Sequence, residues 1–222
     1  MSAEDEKRVA AEAAAELVAD EMTVGLGTGS TVAHLLPALA RRDLRIRCVA
    51  TSPATEEQAR GLGIAVEPFE SLERLDIAID GADQVAPDGW LVKGGGGAHL
   101  REKAVAAAAE RFVVIADSSK PVSALHAPLP LELFRFGLAA TIARLGEVEL
   151  RGAPPSPDGG VIADLGGGGG DLGDPERLAA RLDADPGVAA HGLFGPELVS
   201  EVLVARGDQL ERLEPGAASP GP

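Results

Sequence analysis

Several segments of this chain combine residue types that can hold an anion and move a proton. The longest is KGGGGAHLREK at 93–103, and its four consecutive glycines are Gly94, Gly95, Gly96 and Gly97. The N–H groups of such a loop, together with the positive end of a following helix, can surround a negative oxygen. Lys93 would stabilise that charge, and Glu102 would act as a base. A flexible loop with a surface glutamate is the alternative, but ordering four glycines costs entropy that a simple connection need not spend, so we favour the functional interpretation.

A second glycine-rich segment, GLGTGST at 25–31, follows a predicted strand and opens a predicted helix. Its glycines allow a tight turn close to an anion, and a phosphate would find hydroxyl and N–H donors there. The donors would come from Thr28, Gly29, Ser30 and Thr31. A tight turn capped by Ser30 explains the motif equally well. A dinucleotide-binding fingerprint is not favoured, because Ser30 stands where G-x-G-x-x-G requires its third glycine.

Carboxylates and a further lysine follow other predicted strands. Asp80 and Asp83 belong to DGAD at 80–83, and Lys120 ends DSSK at 117–120. Ligands of parallel sheets bind beyond the carboxyl ends of the strands, where these groups would lie. The carboxylates could bind sugar hydroxyls or exchange protons with a ring oxygen, and the lysine could attract a phosphate. Taken alone, DGAD is better explained as a turn in which Asp80 caps local N–H groups, and an exposed loop lysine is the commoner case.

The elements that must position these segments alternate between strands and helices. Apolar runs predict strands at 22–26, 45–50, 64–67, 75–79 and 112–116, and helical spacing predicts helices at 4–19, 30–41, 54–62 and 98–111. This alternation predicts an α/β fold with a Rossmann-like, mostly parallel sheet. After about residue 127 a βαββαβ order follows, which is typical of a ferredoxin-like α+β unit. Its elements are predicted at 131–134, 138–145, 147–150, 161–165, 175–182 and 188–191.

The same pattern predicts the domain organisation. We expect a Rossmann-like catalytic domain at 1–127, rejoined by 201–213, with a ferredoxin-like lid subdomain inserted at 128–200. Residues 214–222 are rich in proline, glycine and alanine and have no large side chain to bury, so we expect a flexible tail.

Composition restricts the class of protein. The 222 residues carry a formal net charge of −15, which would repel a nucleic-acid backbone, and no apolar run is long enough to span a membrane. We therefore expect neither partner. The single cysteine, Cys48, fits a reducing compartment, and we expect a cytoplasmic protein. The four histidines show no pairing typical of a metal site, and we expect none.

Taken together and in order, these segments resemble the type A family of ribose-5-phosphate isomerases. The matching stretches are GLGTGSTV at 25–32, TSPAT at 51–55, DGAD at 80–83, KGGGGAHLREK at 93–103, DSSK at 117–120, LPLELFRFG at 129–137 and DPGVAAHGLF at 185–194. The resemblance implies a Rossmann-like domain with a ferredoxin-like lid, no cofactor, and a homodimer or homotetramer. It also implies a sugar-phosphate substrate, with interconversion of ribose 5-phosphate and ribulose 5-phosphate.

The resemblance also implies roles for individual residues. Glu102 matches the family's general base, and its other active-site polar residues match Asp80, Asp83 and Lys93. The substrate and phosphate contacts match Thr28, Ser30, Thr31 and Lys120, with Lys7 as a further lysine near the phosphate. Two departures stand out: Gln84 replaces the glutamate that usually follows DGAD, and SPDGG at 156–160 replaces a TDNGN segment. We expect the first to remove a negative charge beside the site, and the second to affect lid or oligomer contacts more than chemistry.

The expected chemistry is proton transfer through an enediolate. Glu102 would remove the C2 proton and return a proton to C1, while Lys93 and the amides of 94–97 stabilise the oxyanion. Asp80 and Asp83 would assist ring opening and bind hydroxyls. An alternative of another class is a sugar-phosphate sensor that binds without turnover. Such sensors normally carry a DNA-binding segment, and the sequence has no basic helix-turn-helix stretch.

Overall fold

The computed structural model describes residues 2–215, so residues 216–222 of the predicted tail lie outside the described part of the chain. Strands and helices alternate in the first half. Its elements are α1 (Ala3–Ala15), β1 (Thr23–Leu26), α2 (Ser30–Ala40), β2 (Arg47–Ala50), α3 (Pro53–Gly61), β3 (Ile77–Gly81), β4 (Gln84–Val85), β5 (Leu91–Val92), α4 (His99–Ala108) and β6 (Phe112–Asp117). A short 3₁₀ helix, Phe69–Ser71, precedes β3.

In the second half, shorter elements follow one another closely. They are β7 (Leu129–Leu133), α5 (Leu138–Leu145), β8 (Val148–Leu150), β9 (Val161–Leu165), α6 (Pro175–Asp183), β10 (Val188–His191), β11 (Leu193–Phe194), a 3₁₀ helix (Pro196–Leu198), β12 (Glu201–Arg206) and β13 (Gln209–Leu213). Among residues 2–215, no helix combines the length and apolar character that crossing a membrane requires.

The central sheet has six strands in the order β13-β12-β6-β3-β1-β2. All neighbours pair in parallel except β12 and β13, which are antiparallel. Strands β3 and β6 are apolar on both faces because helices cover both. Ile79 and Ile115 pack with α1 and α2, whereas Ala78 and Val114 pack on the opposite side with α4. The predicted α/β class with a mostly parallel sheet is confirmed.

The segment between β6 and β12 forms a separate antiparallel sheet of four strands in the order β10-β7-β9-β8. With α5 and α6 it follows the predicted βαββαβ order, and this strand order is that of a ferredoxin-like unit. Leucines at alternating positions of β7, Leu129, Leu131 and Leu133, are fully buried against this unit's helices and neighbouring strands. The domain boundaries at 127 and 200 stay a prediction.

Other features of the fold differ from the sequence-based expectations. The predicted strand at 64–67 is reduced to a single bridge between Val66 and Cys48. The small antiparallel sheet β11-β5-β4 and the edge strand β13 were not expected. Helix α1 ends at Ala15 rather than at 19, and the guanidinium of Arg42 donates a hydrogen bond of 2.6 Å to the carbonyl of Val18 just beyond it.

Candidate active site

A cavity of about 120 Å³ lies at the carboxyl ends of β1, β3 and β6. Its walls are supplied by the loops after these strands, by the loop of four glycines at 94–97 (the glycine loop) and by α4. The lining residues are Thr28, Gly29, Ser30, Thr31, Gly81, Ala82, Asp83, Lys93, Gly94, Gly95, Gly96, Glu102 and Lys120. The parallel sheet thus brings together segments that are up to 92 residues apart in the chain, as expected for a ligand site at this edge.

A buried ion cluster forms the inner wall of this cavity. The ammonium of Lys93 lies 2.9 Å from Oδ2 of Asp80 and 3.3 Å from Oε2 of Glu102. The three residues are only 2%, 2% and 4% exposed, in the order Lys93, Asp80, Glu102. Oε2 of Glu102 nevertheless lacks hydrogen-bond geometry to any protein donor in the described chain. Within residues 2–215, Lys93 at 3.3 Å is thus the cation that Oε2 of Glu102 contacts, without hydrogen-bond geometry.

Asp80 is held by the loop that follows β1. Its Oδ1 accepts hydrogen bonds from the N–H groups of Thr28 (3.0 Å) and Gly81 (2.7 Å). Gly27 is required for this approach, because a Cβ at that position would lie 2.0 Å from the carboxyl carbon of Asp80. Asp80 is absent from the residues that line the cavity, so it contacts Lys93 rather than the space for substrate.

Burial controls the protonation of the cluster. It raises the pKa of Glu102 from 4.5 to about 7; the ammonium of Lys93 opposes this shift, and the charge of Asp80 adds to it. Burial alone would lower the pKa of Lys93, but the two carboxylates outweigh it and leave that pKa raised. Lys93 is therefore a permanent cation, whereas Glu102 can exchange a proton near neutral pH.

The start of α2, which lines this cavity, is suited to an anion. Gly29 adopts a φ of 120° as the N-cap of α2, and no side chain of residues 2–215 caps the helix, so its first N–H groups are available to a ligand. The cap by Ser30 that the motif also allowed is not formed. Lys120, on the loop after β6, reaches the same cavity.

The glycine loop is fixed from both sides. The N–H of Gly95 donates to Oδ2 of Asp83 at 2.8 Å, and the N–H of Gly97 closes a turn on the carbonyl of Gly94 at 3.0 Å. The guanidinium of Arg151 donates to the carbonyls of Gly94 and Gly95. Two of the four amides expected to face a substrate oxygen are thus used within the protein.

Besides Asp80, two predicted site residues lie outside the cavity lining. The ammonium of Lys7 pairs with Glu4 on α1 at 2.6 Å, and its role near a phosphate stays a prediction. Gly97 lines a neighbouring cavity on the other side of the loop, together with Arg151. Within residues 2–215, no group of three or more His, Cys, Asp and Glu side chains is arranged to hold a metal ion.

Comparison with known proteins agrees with this geometry. Residues 47–209 match the family model described as ribose 5-phosphate isomerase A (phosphoriboisomerase A). The chain belongs to this family. It is 46% identical to a ribose-5-phosphate isomerase A of Caulobacter vibrioides, over 97% of this chain and 100% of the relative. The predicted isomerase activity on a sugar phosphate is thereby confirmed, and the sensor alternative is not favoured.

Solved structures of the ribose 5-phosphate isomerase A family share the fold. The enzyme from Neisseria gonorrhoeae superposes with a TM-score of 0.90 at 33% identity, covering 96% of this chain and 98% of that one. A D-ribose-5-phosphate isomerase solved in complex with phospho-erythronic acid gives a TM-score of 0.90 at 31% identity, with coverages of 96% and 100%.

The two departures from the family pattern have structural explanations. The amide of Gln84 donates to the carbonyl of His126 (2.7 Å) and accepts from its N–H (2.9 Å), which an ionised glutamate could not do in both directions. Gln84 therefore braces the loop before β7 and does not line the cavity. In the 156–160 segment, Asp158 pairs with Arg101 of α4 at 2.8 Å, so this turn docks beside the helix that carries Glu102.

Sequence reasoning missed the contribution of Arg151 and Arg101. Arg101 lies inside KGGGGAHLREK and Arg151 lies outside every named motif, and each makes its contact with a residue more than 50 positions away. The spacing of residues along one chain carries no signal for such a pair. Gly81 and Ala82, by contrast, lie inside DGAD and could have been included from the motif alone.

Proposed function

We propose that this cavity interconverts ribose 5-phosphate and ribulose 5-phosphate with Glu102 as the general base. One observation carries the proposal: Glu102 lines the cavity, its Oε2 makes only a 3.3 Å ion-pair contact with Lys93, and burial raises its pKa to about 7. A base with that pKa is half ionised near neutral pH, where general acid–base catalysis is most effective.

The proton transfers balance as follows. Glu102 removes the C2 proton of the open-chain aldose, and the electron pair left at C2 forms the C1–C2 double bond while negative charge develops on O1. A proton moves from the O2 hydroxyl to O1, which shifts the charge to O2. Glu102 then returns its proton to C1 as the C2 carbonyl forms, and the carboxylate is regenerated. One carboxylate on one face of the enediolate performs both steps.

Charge on the enediolate is stabilised by Lys93 and the glycine loop. Lys93 is a cation at the same wall as Glu102, and the N–H groups of Gly94 and Gly96 have no protein acceptor within the described chain. Asp80 acts through Lys93, whose ammonium it holds. Asp83 lines the cavity and is assigned to the sugar hydroxyls and to ring opening.

The phosphate of the substrate is assigned to the free start of α2 and to Lys120. The uncapped N–H groups after Gly29 and the hydroxyls of Thr28, Ser30 and Thr31 supply donors. Lys120 adds a positive charge. This arrangement assigns the anion to the start of α2 and the loop after β6, and the base to α4.

We further propose the organisation in which this site works. Residues 1–127 and 201–213 form the catalytic domain, and 128–200 form a lid whose sheet lies over the glycine loop. A homodimer or homotetramer is supported by the family relationship and by Phe136 of the lid, which is 95% exposed in the single chain. A cytoplasmic location is supported by the single cysteine, which is buried and unpaired.

Isotope transfer tests the proposed proton chemistry. Ribose 5-phosphate deuterated at C2 is converted by the protein in ordinary water, and the product is analysed by mass spectrometry and NMR. A carboxylate that carries the proton exchanges it in part with solvent, so we expect some product with hydrogen instead of deuterium at C1. Complete retention of deuterium at C1 would contradict the mechanism, because direct hydride migration never exposes the label to solvent.

A further inference from the structure

The glycine loop separates two cavities, and Arg151 lies on the side away from the catalytic one. Arg151 follows β8 of the lid and forms a bidentate ion pair with Asp164 of β9, with distances of 2.7 and 2.6 Å. Its remaining nitrogen, Nη1, donates to the carbonyls of Gly94 (3.0 Å) and Gly95 (2.9 Å). Asp164 thus fixes the guanidinium, and the guanidinium fixes two successive peptide groups.

Peptide planarity links these carbonyls to the catalytic cavity. In a trans peptide the C=O and the following N–H point in opposite directions. The carbonyl of Gly94 points to Arg151, and the next N–H, that of Gly95, points to Asp83 on the other side of the loop. By the same geometry, the carbonyl of Gly95 held by Arg151 directs the N–H of Gly96 into the catalytic cavity, which Gly96 lines.

We infer that Arg151 is a positioning residue for the isomerase reaction. From the lid, it holds the Gly95–Gly96 peptide so that the N–H of Gly96 can donate to the enediolate oxygen. This inference rests on the proposed function, since it assumes that the oxyanion forms at the glycine loop. It adds a role that Arg151 performs without touching the substrate.

The test compares Arg151 with a matched ion pair of the same lid. Arg151→Met removes every donor, and Arg151→Lys keeps the charge but cannot span one carboxylate and two carbonyls. The control is Arg144→Met, because Arg144 also forms a bidentate pair, with Asp185 at 2.9 and 2.7 Å, but does not contact the glycine loop. For each protein we measure kcat, KM and the inhibition constant of inorganic phosphate.

A misaligned oxyanion donor lowers kcat without affecting the phosphate end of the cavity. We expect kcat of Arg151→Met and Arg151→Lys to fall by about 10- to 100-fold, somewhat less than the loss of a whole oxyanion donor. The phosphate inhibition constant should change less than about threefold, and KM should stay near the parental value. This pattern is expected when a contact made only in the transition state is lost. Arg144→Met should keep kcat near the parental value. Hydrogen exchange of the 94–97 amides should accelerate in Arg151→Met alone.

Two outcomes would overturn the inference. One is a kcat in Arg151→Met equal to that of Arg144→Met; the other is a phosphate inhibition constant that rises by the same factor as kcat falls. Asp164→Asn, which loosens the guanidinium without removing it, provides the same comparison if Arg151→Met does not fold. The kcat of Glu102→Gln is measured in parallel. If kcat collapses in Glu102→Gln but stays parental in Arg151→Met, only the role of Arg151 is rejected. If Glu102→Gln keeps full activity, the proposed base is rejected.

Discussion

At the scale of single residues, the site depends on one ammonium shared by two carboxylates. Lys93 is 2.9 Å from Asp80 and 3.3 Å from Glu102, and Asp80 also receives two backbone N–H groups. Burial raises the pKa of both carboxylates, that of Glu102 to about 7. The two differ in position, because Asp80 is held by its hydrogen bonds outside the cavity lining, whereas Glu102 lines the cavity. This difference between two chemically similar side chains supports the structural role proposed for Asp80 and the basic role proposed for Glu102.

The pH dependence of catalysis follows from this asymmetry. Only ionised Glu102 accepts a proton, so kcat/KM should rise with pH through about 7, the pKa to which burial raises Glu102. The negative charge of Asp80 raises that pKa, so Asp80→Asn should move the acidic limb to lower pH. The measurement is the pH profile of kcat/KM for both proteins.

Asp117→Asn is the matched control for this profile. Asp117 is another buried carboxylate at the end of a central strand, but it bonds Ser119 and not Lys93. The acidic limb of the kcat/KM profile of Asp117→Asn should coincide with that of the parent protein. An acidic limb that stays in place or moves to higher pH in Asp80→Asn would refute the electrostatic coupling.

At the scale of elements, the approach of the β1–α2 loop to β3 positions Asp80. Gly27→Ala would introduce a Cβ 2.0 Å from the Asp80 carboxyl, which cannot move away because Lys93 and the N–H of Thr28 hold it. We expect Gly27→Ala to lower the free energy of unfolding by about 1–3 kcal/mol, the usual cost of overpacking, and to lower kcat.

The control for this substitution is Gly61→Ala at the end of α3. A Cβ there meets no atom of the described residues within 4 Å. The change should leave the free energy of unfolding unchanged or raise it by up to about 1 kcal/mol, since alanine restricts the unfolded chain. Urea denaturation of the three proteins gives the comparison, and coinciding midpoints for Gly27→Ala and the parent would rule out the close approach as a constraint.

The elements that the sequence predicts well are those with a long or periodic apolar pattern. Strands β3 and β6 are apolar up to Ile79 and Ala116 because helices cover both faces, and α2 carries its buried residues at helical spacing. Strands β4, β5 and β11 have two residues each, too few for any period to be read. Strand β13, QLERL, lies at the sheet edge with mostly polar side chains and so carries no core signal.

The site was predictable where function depends on local motifs. The glycine loop, DGAD and the start of α2 each place their own polar groups at a strand end, and the parallel sheet brings them together. The direction of individual groups was not predictable. Asp80 contacts Lys93 and is not among the residues that line the cavity, the N–H of Gly95 donates to Asp83, and Arg151 contacts the loop from the segment after β8.

At the scale of the whole molecule, the cavity is complete only when distant parts of the chain fold together. Thr28 comes from the first loop of the central sheet, Lys120 from the loop after β6, and the glycine loop is held by Arg151 of the antiparallel sheet. Pairing of β11 with β5 adds a second connection between the two regions. Isomerase turnover therefore reports on the assembly of the entire fold as well as on its chemistry.

Glu102→Gln provides the most direct test, because it keeps the volume and hydrogen bonding of Glu102 but removes its capacity to take a proton. The measurement is kcat with ribose 5-phosphate, alongside Kd for phospho-erythronic acid, in the parent, in Glu102→Gln and in the exposed control Glu110→Gln. We expect kcat of Glu102→Gln to fall by about 10²–10⁴-fold, with Kd within a few fold of the parent, and the control to be unchanged. A Glu102→Gln protein with near-parental kcat would contradict the assignment of Glu102 as the base.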